Sequence, residues 1–296
     1  MSDFSIENRR SGIWATDARK IVNGLVADVW LEKVGRTERE DISHIEAVQW
    51  GIKLQDVIGR EAGARLQLEL KAADYELTHP THSWMKSHFD FISADGSTLV
   101  EVKNYNAVKR NKYDADTGLL PADDAAQITH EAAVHGVQRC VLAVLFGGQE
   151  LVLVDKTISD GEKEALIDLE ATVWARVQTN TPPEAVTTDA ASKLWPVSTQ
   201  KTVVADQQLE LWAKQLAFIK KEIKSLEDTQ DALQAGLQDA MRQADTLVTF
   251  DGRVLATWKS AKPGKRFDTK ALQQSMPDVF ERFYVDAAGS RRFLLK

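Results

Sequence analysis

MKSHFDFISADGSTLVEVKNY, from Met85 to Tyr105, decides the reading of this chain. Asp95-Gly96 is a turn signal between two alternating segments, Phe89–Ile92 and Leu99–Lys103, and predicts a β-hairpin. Side chains alternate between the faces of a strand, so Glu101 and Lys103 share one face and Val100 and Val102 the other. Pairing the two arms brings Asp90 close to Glu101. Two carboxylates beside an ammonium are what a Mg²⁺-dependent phosphodiesterase needs, because Mg²⁺ takes one or two carboxylates and leaves the other positions to water and phosphate. On this reading Asp90 and Glu101 hold the ion and the Val102 carbonyl adds a ligand. Lys103 orients or helps to deprotonate the attacking water and steadies charge building on the phosphate. The plain alternative is a solvent-exposed ion pair on a half-buried strand, which a short motif alone does not exclude.

Outward from this stretch, the 296 residues suggest one large domain or two, and 43% hydrophobic content supports a substantial core. No apolar run reaches the ~18 residues that a membrane-spanning helix needs. Met1–Ser5 has neither the basic nor the apolar region of a secretory leader, so the expected compartment is the cytoplasm. The lone cysteine, Cys140, lies in an apolar run and reads as a small buried hydrophobe. A net charge of −7 argues against a general polyanion-coating protein. Basic residues nevertheless cluster: Arg9, Arg10, Arg19 and Lys20 near the start, Lys103, Lys109, Arg110 and Lys112 around the hairpin, and Lys259, Lys262, Lys265 and Arg266 near the end. The last group is expected to grip DNA. His79 and His82 have Pro80 between them and match no common zinc spacing.

Apolar spacing predicts helices over 16–35 and 42–66, the second capped by Ser43. Strands are expected over 66–70, 88–92 and 99–105, then a helix over 122–136 stopped by Gly136. A hairpin follows across Gly147-Gly148, and a helix over 160–179. This order predicts an α/β (α+β) core with a central mixed sheet flanked by helices over residues 1–180. Residues 181–205, rich in Thr, Pro and Ala, read as a connector. Residues 206–296 read as a C-terminal extension. It holds one long helix, or a helical hairpin, with Leu209, Trp212, Leu216, Ile219, Ile223, Leu226, Leu233, Leu237 and Met241 on one stripe, expected to pack on its own domain rather than to self-associate as a coiled coil. A small basic β-hairpin unit follows, around Asp251-Gly252.

Asp90 followed by Glu101-Val102-Lys103 resembles the PD-(D/E)xK motif of the lambda-exonuclease/YqaJ-like phage recombination nucleases, part of the restriction-endonuclease-like superfamily; Phe89 stands where the motif's proline would be. Gln127 stands where the group often carries a glutamine at the edge of its site. Arg9 and Thr16 match an N-terminal Arg and, seven residues on, a Ser that contact the phosphate chain, with Thr for Ser. Gln49–Gln55 is similar to the family's W-G-x-x-L-E helix, with Gln55 in place of the Glu that assists metal binding. The resemblance implies a restriction-endonuclease-like fold, catalytic roles for Asp90, Glu101, Lys103 and Gln127, and Mg²⁺ (or Mn²⁺) on Asp90, Glu101 and Val102. It implies DNA contacts from Arg9 and Thr16. It also implies 5′-to-3′ digestion from the ends of linear duplex DNA, a single-strand annealing protein as partner, and a trimeric homo-oligomer.

Two other functions fit the same residues. One is an endonuclease on the same fold, since fold does not settle chemistry. The other is a catalytically weak DNA-binding or scaffold protein, which Gln55 and the long helix favour. Cleavage of circular against linear DNA separates them.

Overall fold

The computed structural model describes residues 6–39, 41–73, 75–285 and 289–296. The first five residues, read above for a leader, lie outside them. The chain divides into two compact units, one ending at Pro196 and the other beginning at Val197.

The first unit runs α1 (Ile6–Arg10), β1 (Ile13–Trp14), α2 (Ala15–Val22), α3 (Val26–Lys33), α4 (Glu46–Leu66), β2 (Leu70–Ala72), β3 (Glu76–Thr78), β4 (Met85–His88), β5 (Phe91–Ser93) and β6 (Thr98–Tyr105). A 3₁₀ turn (Ala107–Lys112) leads to α5 (Ala122–His135), β7 (Arg139–Phe146), β8 (Glu150–Thr157), α6 (Asp160–Gln178) and α7 (Thr188–Leu194). The main sheet has the order β2-β5-β6-β7-β8. Only β6–β7 is parallel, so the sheet is mixed. Helix α4 covers one face, packing Ile58 and Ala62 on Phe91, Val100, Val102, Val141 and Ala143. Helix α5 covers the other, setting Ile128 and Ala132 against Leu99, Leu142 and Val144. Gly59 lets α4 come this close, because a Cβ there would lie 2.3 Å from the Phe91 ring. A second sheet, β1-β4-β3, ties the N-terminal segment to the strand that precedes Asp90.

Several elements depart from the sequence reading. The helix expected over 16–35 is two helices, broken where Gly24 takes φ +77°. Helix α4 starts at Glu46 behind Ile45, and Ser43 is not its cap. It holds to Leu66, ends on Gln67 in the left-handed region (φ 55°), and the next strand starts only at Leu70. The strand expected over 88–92 is split between two sheets at Phe89–Asp90, because the Asp90 side chain itself accepts the Val102 backbone N–H where a ladder partner would sit. The stretch read as a connector contains α7, whose Ala190 and Leu194 pack on Ala27, Trp30 and Leu31 of α3. Gly136 (φ +85°) ends α5 as expected, and the β7–β8 hairpin turns at Gly147-Gly148.

The second unit is α8 (Gln207–Met241), the antiparallel pair β9 (Thr246–Val248) and β10 (Val254–Thr257), and two short helices the sequence did not signal, α9 (Thr269–Ser275) and α10 (Pro277–Arg282). An Asp206 cap receives the Leu209 N–H and starts α8. The expectation that α8 packs on its own domain fails: among the described residues its apolar stripe is mostly exposed, Trp212 at 58% and Leu226 at 69%. Lys259, Lys262, Lys265 and Arg266 lie beyond the hairpin, in an exposed stretch without regular structure. Among the described residues no helix is long and apolar enough to cross a membrane.

Candidate active site

The site forms where β6 runs past its pairing with β5. That pairing covers Leu99 and Val100 only, so from Val102 onward this edge of β6 is open. Asp90 enters from the gap between β4 and β5, and its Oδ2 accepts the Val102 N–H at 2.8 Å. The N–H and C=O of one strand residue point to the same side, so the Val102 carbonyl faces the same open edge. Asp90 Oδ1 accepts a 2.6 Å bond from the Gln55 amide on α4. Gln55 is therefore at the site, as a donor to the carboxylate rather than a second acidic ligand.

On β6, Glu101 is 6% exposed, and its Oε1 accepts from Lys103 Nζ at 2.5 Å and from Gln127 Nε2 at 2.5 Å. Asp90 and Glu101 lie within hydrogen-bond reach of each other. Burial first, then the charge of Glu101, pushes the Asp90 carboxyl well above the usual carboxylate range. Burial is the largest influence on Lys103 and lowers its pKa, but the Glu101 charge, Tyr105, the hydrogen bond to Glu101 and Glu131 together outweigh it, and the ammonium is held. The structure thus brings Asp90, Glu101, Val102, Lys103 and Gln127 together.

Their supports were not read from the sequence. Glu131, one turn after Gln127, accepts the same amide at 2.9 Å, and burial followed by the Glu101 charge raises its carboxyl well above the ordinary value. The i, i+4 spacing from Gln127 is a signal that could have found it. Arg19 on α2 donates to Gln127 Oε1 at 3.1 Å and is itself gripped by Asp123 (2.6 Å) and Asp124. Tyr105 and Tyr113 both donate to Asp124, at 2.9 and 2.5 Å. Tyr105 follows Glu101 and Lys103 on the same strand face. Nothing local marks Arg19, because its partners lie 86 to 108 positions away.

The other expected residues sit elsewhere. Arg9 lies over the Trp14 ring, 4.6 Å from its centroid, and Trp14 stacks on His88, two residues before Asp90. Thr16 is in the first turn of α2, and its buried Oγ1 has no hydrogen-bond partner among the described residues. The four basic residues from Lys259 to Arg266 belong to the second unit.

The donor set suits a hard divalent cation. Asp90, Glu101 and the Val102 carbonyl offer only oxygen. The two carboxylates face each other with one of them favouring its proton, the position a cation would take. Among the described residues no group of three or more His, Cys, Asp or Glu side chains converges as a ready cage. Mg²⁺ needs none, since water and substrate phosphate complete its shell.

A mixed sheet sandwiched by α4 and α5 carries this acidic edge, and residues 6–138 match the YqaJ-like viral recombinase domain. A protein from Bacillus subtilis strain 168 called uncharacterized protein YqaJ is 24% identical over 301 residues, covering 97% of this chain and 92% of that one. Among solved structures, an alkaline exonuclease from Laribacter hongkongensis superposes with a TM-score of 0.50 at 14% identity, covering 59% of this chain and 91% of its own. The same enzyme in complex with dAMP gives the same score and identity, over 60% and 92%. At that identity the likeness shows the fold, which is restriction-endonuclease-like.

Proposed function

We propose that this chain is a divalent-metal-dependent deoxyribonuclease that digests linear double-stranded DNA from an end. The observation that carries the reading is the meeting of Asp90, Glu101 and Lys103 at the open edge of β6. The ion we expect is Mg²⁺, with Mn²⁺ able to replace it; when bound, it polarises the phosphate and makes a water acidic enough to attack. Asp90, Glu101 and the Val102 carbonyl hold that ion. Lys103, kept as an ammonium against Glu101, orients the water and balances charge on the phosphate. Gln127 holds Glu101 at its amide, and Gln55 holds Asp90. Arg9 and the unpaired Thr16 hydroxyl are assigned to the DNA backbone, to which both groups donate well. The basic stretch from Lys259 to Arg266 is a second contact to DNA.

Digestion from 5′ to 3′, a single-strand annealing partner, a trimeric homo-oligomer and work in the cytoplasm complete the proposal and rest on the family resemblance. The alkaline exonuclease likeness supports an exonuclease over an endonuclease. Linear duplexes labelled at either strand end, incubated with Mg²⁺ or with a chelator, test it. Label should leave the 5′ end first, only with the metal, while a covalently closed circle stays intact. Equal cutting of the circle would make the chain an endonuclease, and no cutting of either would leave a DNA-binding protein.

A further inference from the structure

We infer that α8 is a dimerisation element, pairing antiparallel with α8 of a second copy of this chain. Its seam positions alternate by three and four, apolar at every step but one: Leu209, Trp212, Leu216, Ile219, Ile223, Leu226, then the polar Gln230, Leu233, Leu237 and Ala240. That is a 3.5-residue repeat held over five heptads, the period of a left-handed coiled coil rather than of a helix laid on a globular core. Such a seam runs about 50 Å. Yet Trp212, Ile219, Ile223, Leu226, Leu233 and Leu237 are all exposed. An apolar stripe of that length signals an interaction site.

Charge selects the partner and its direction. The first half of α8 is net basic, with Lys214, Lys220, Lys221 and Lys224 against Glu210 and Glu222. The second half is acidic, with Glu227, Asp228, Asp231 and Asp239. Antiparallel pairing of two copies sets each basic half against an acidic one. The alignment that overlaps the whole seam places Leu216 opposite Leu233 and Ile223 opposite Leu226. The same alignment brings the flanking Lys220 to Glu227 of the second copy, twice by symmetry. It also sets the bulky Trp212 level with Leu237, beside Gly236 and Ala240. A parallel pair would stack Gln230 on its own copy, but it would lay like-charged halves together and oppose Glu222 with Glu227. The structure leaves room for the partner's first half. Leu226, Leu233 and Leu237, with Ala256 and Trp258 at the hairpin, line an open groove of about 750 Å³ within the second unit.

The test is the mass of the full chain by sedimentation across concentration, without DNA. The wild type should show a concentration-dependent doubling of mass, from one to two copies, or from one trimer to two where the chain is also trimeric. Leu226→Asp with Leu233→Asp should lose that doubling while keeping its helix signal by circular dichroism. Because that variant is drastic, two charge variants at exposed positions accompany it. Glu227→Lys should weaken the dimer at least 10-fold at low salt, and adding Lys220→Glu should restore it. A wild type whose mass does not double with concentration, or a mass untouched by the seam variant, overturns the inference. Tightening by Glu227→Lys overturns the antiparallel direction, because in a parallel pair that change creates an attraction to Glu222.

Discussion

The Glu101 carboxylate is the residue on which the site turns, since Lys103 and Gln127 both bond its Oε1 and Asp90 faces it. Lys103→Ala removes the group expected to act on water and phosphate but no metal ligand. Turnover on linear duplex should fall by about 10²- to 10⁴-fold, while duplex binding in Ca²⁺ remains measurable; unchanged digestion would sink the assignment. A different residue pair sets a pH response. His130 and Glu170 are both fully buried, with Nδ1 2.8 Å from the carboxylate and Nε2 3.0 Å from the Lys86 carbonyl. Both ring nitrogens therefore face acceptors, and the doubly protonated ring satisfies both. Burial alone would lower the His130 pKa, but the Glu170 charge and the hydrogen bonds raise it above its ordinary 6.5. Burial likewise raises Glu170. Both shifts mean that the folded chain holds more protons than the unfolded one. The stability from His130 is thus complete below pH 6.5 and lost as pH rises through the raised folded value. Melting curves should show wild type declining with alkaline pH more steeply than His130→Gln, by at most about 1.4 kcal/mol per pH unit.

At the scale of elements, legibility in the sequence followed the range of the signal. The hairpin from Phe91 to Lys103, α5 with its Gly136 stop, the β7–β8 hairpin and α6 all rest on periodicity and turn chemistry within a dozen residues. The split between β4 and β5 was not legible, because it depends on a side chain, Asp90, replacing a ladder partner. Neither was the hold of Arg19 on Gln127, which crosses 108 positions. The Asp90, Glu101 and Lys103 grouping could be read because one hairpin carries all three. Helix α4 against β5 offers a stability test. Gly59→Ala puts a methyl group into the Phe91 ring, and the overpacking should cost about 1–3 kcal/mol. Gly51→Ala, in open space on the same helix, should cost nothing or stabilise. Equal melting temperatures for the two variants would contradict the close approach of helix and strand.

For the whole molecule, the proposed function asks a chain of net charge −7 to hold DNA, and assigns part of that task to the basic stretch of the second unit. Neutralising Lys259, Lys262, Lys265 and Arg266 together should weaken duplex binding. It should also flatten the salt dependence, by up to about 0.9 in log–log slope for each phosphate that the chain no longer neutralises. A slope identical to wild type would show that this stretch does not touch the backbone. Cleavage chemistry at saturating DNA should persist in this variant, because Asp90, Glu101, Lys103 and Gln127, to which catalysis is assigned, all belong to the first unit. The lone thiol lends itself to a measurement of another kind. Cys140 is 1% exposed in the middle of the sheet, its Sγ pointing at the Ile128 carbonyl, and burial raises its pKa well above the free value. An alkylating reagent should therefore ignore the native chain and modify it only when β7 opens. The rate of that modification would clock the opening of the first unit, and a reporter cysteine placed on α8 could carry a fluorophore without any background from the natural one.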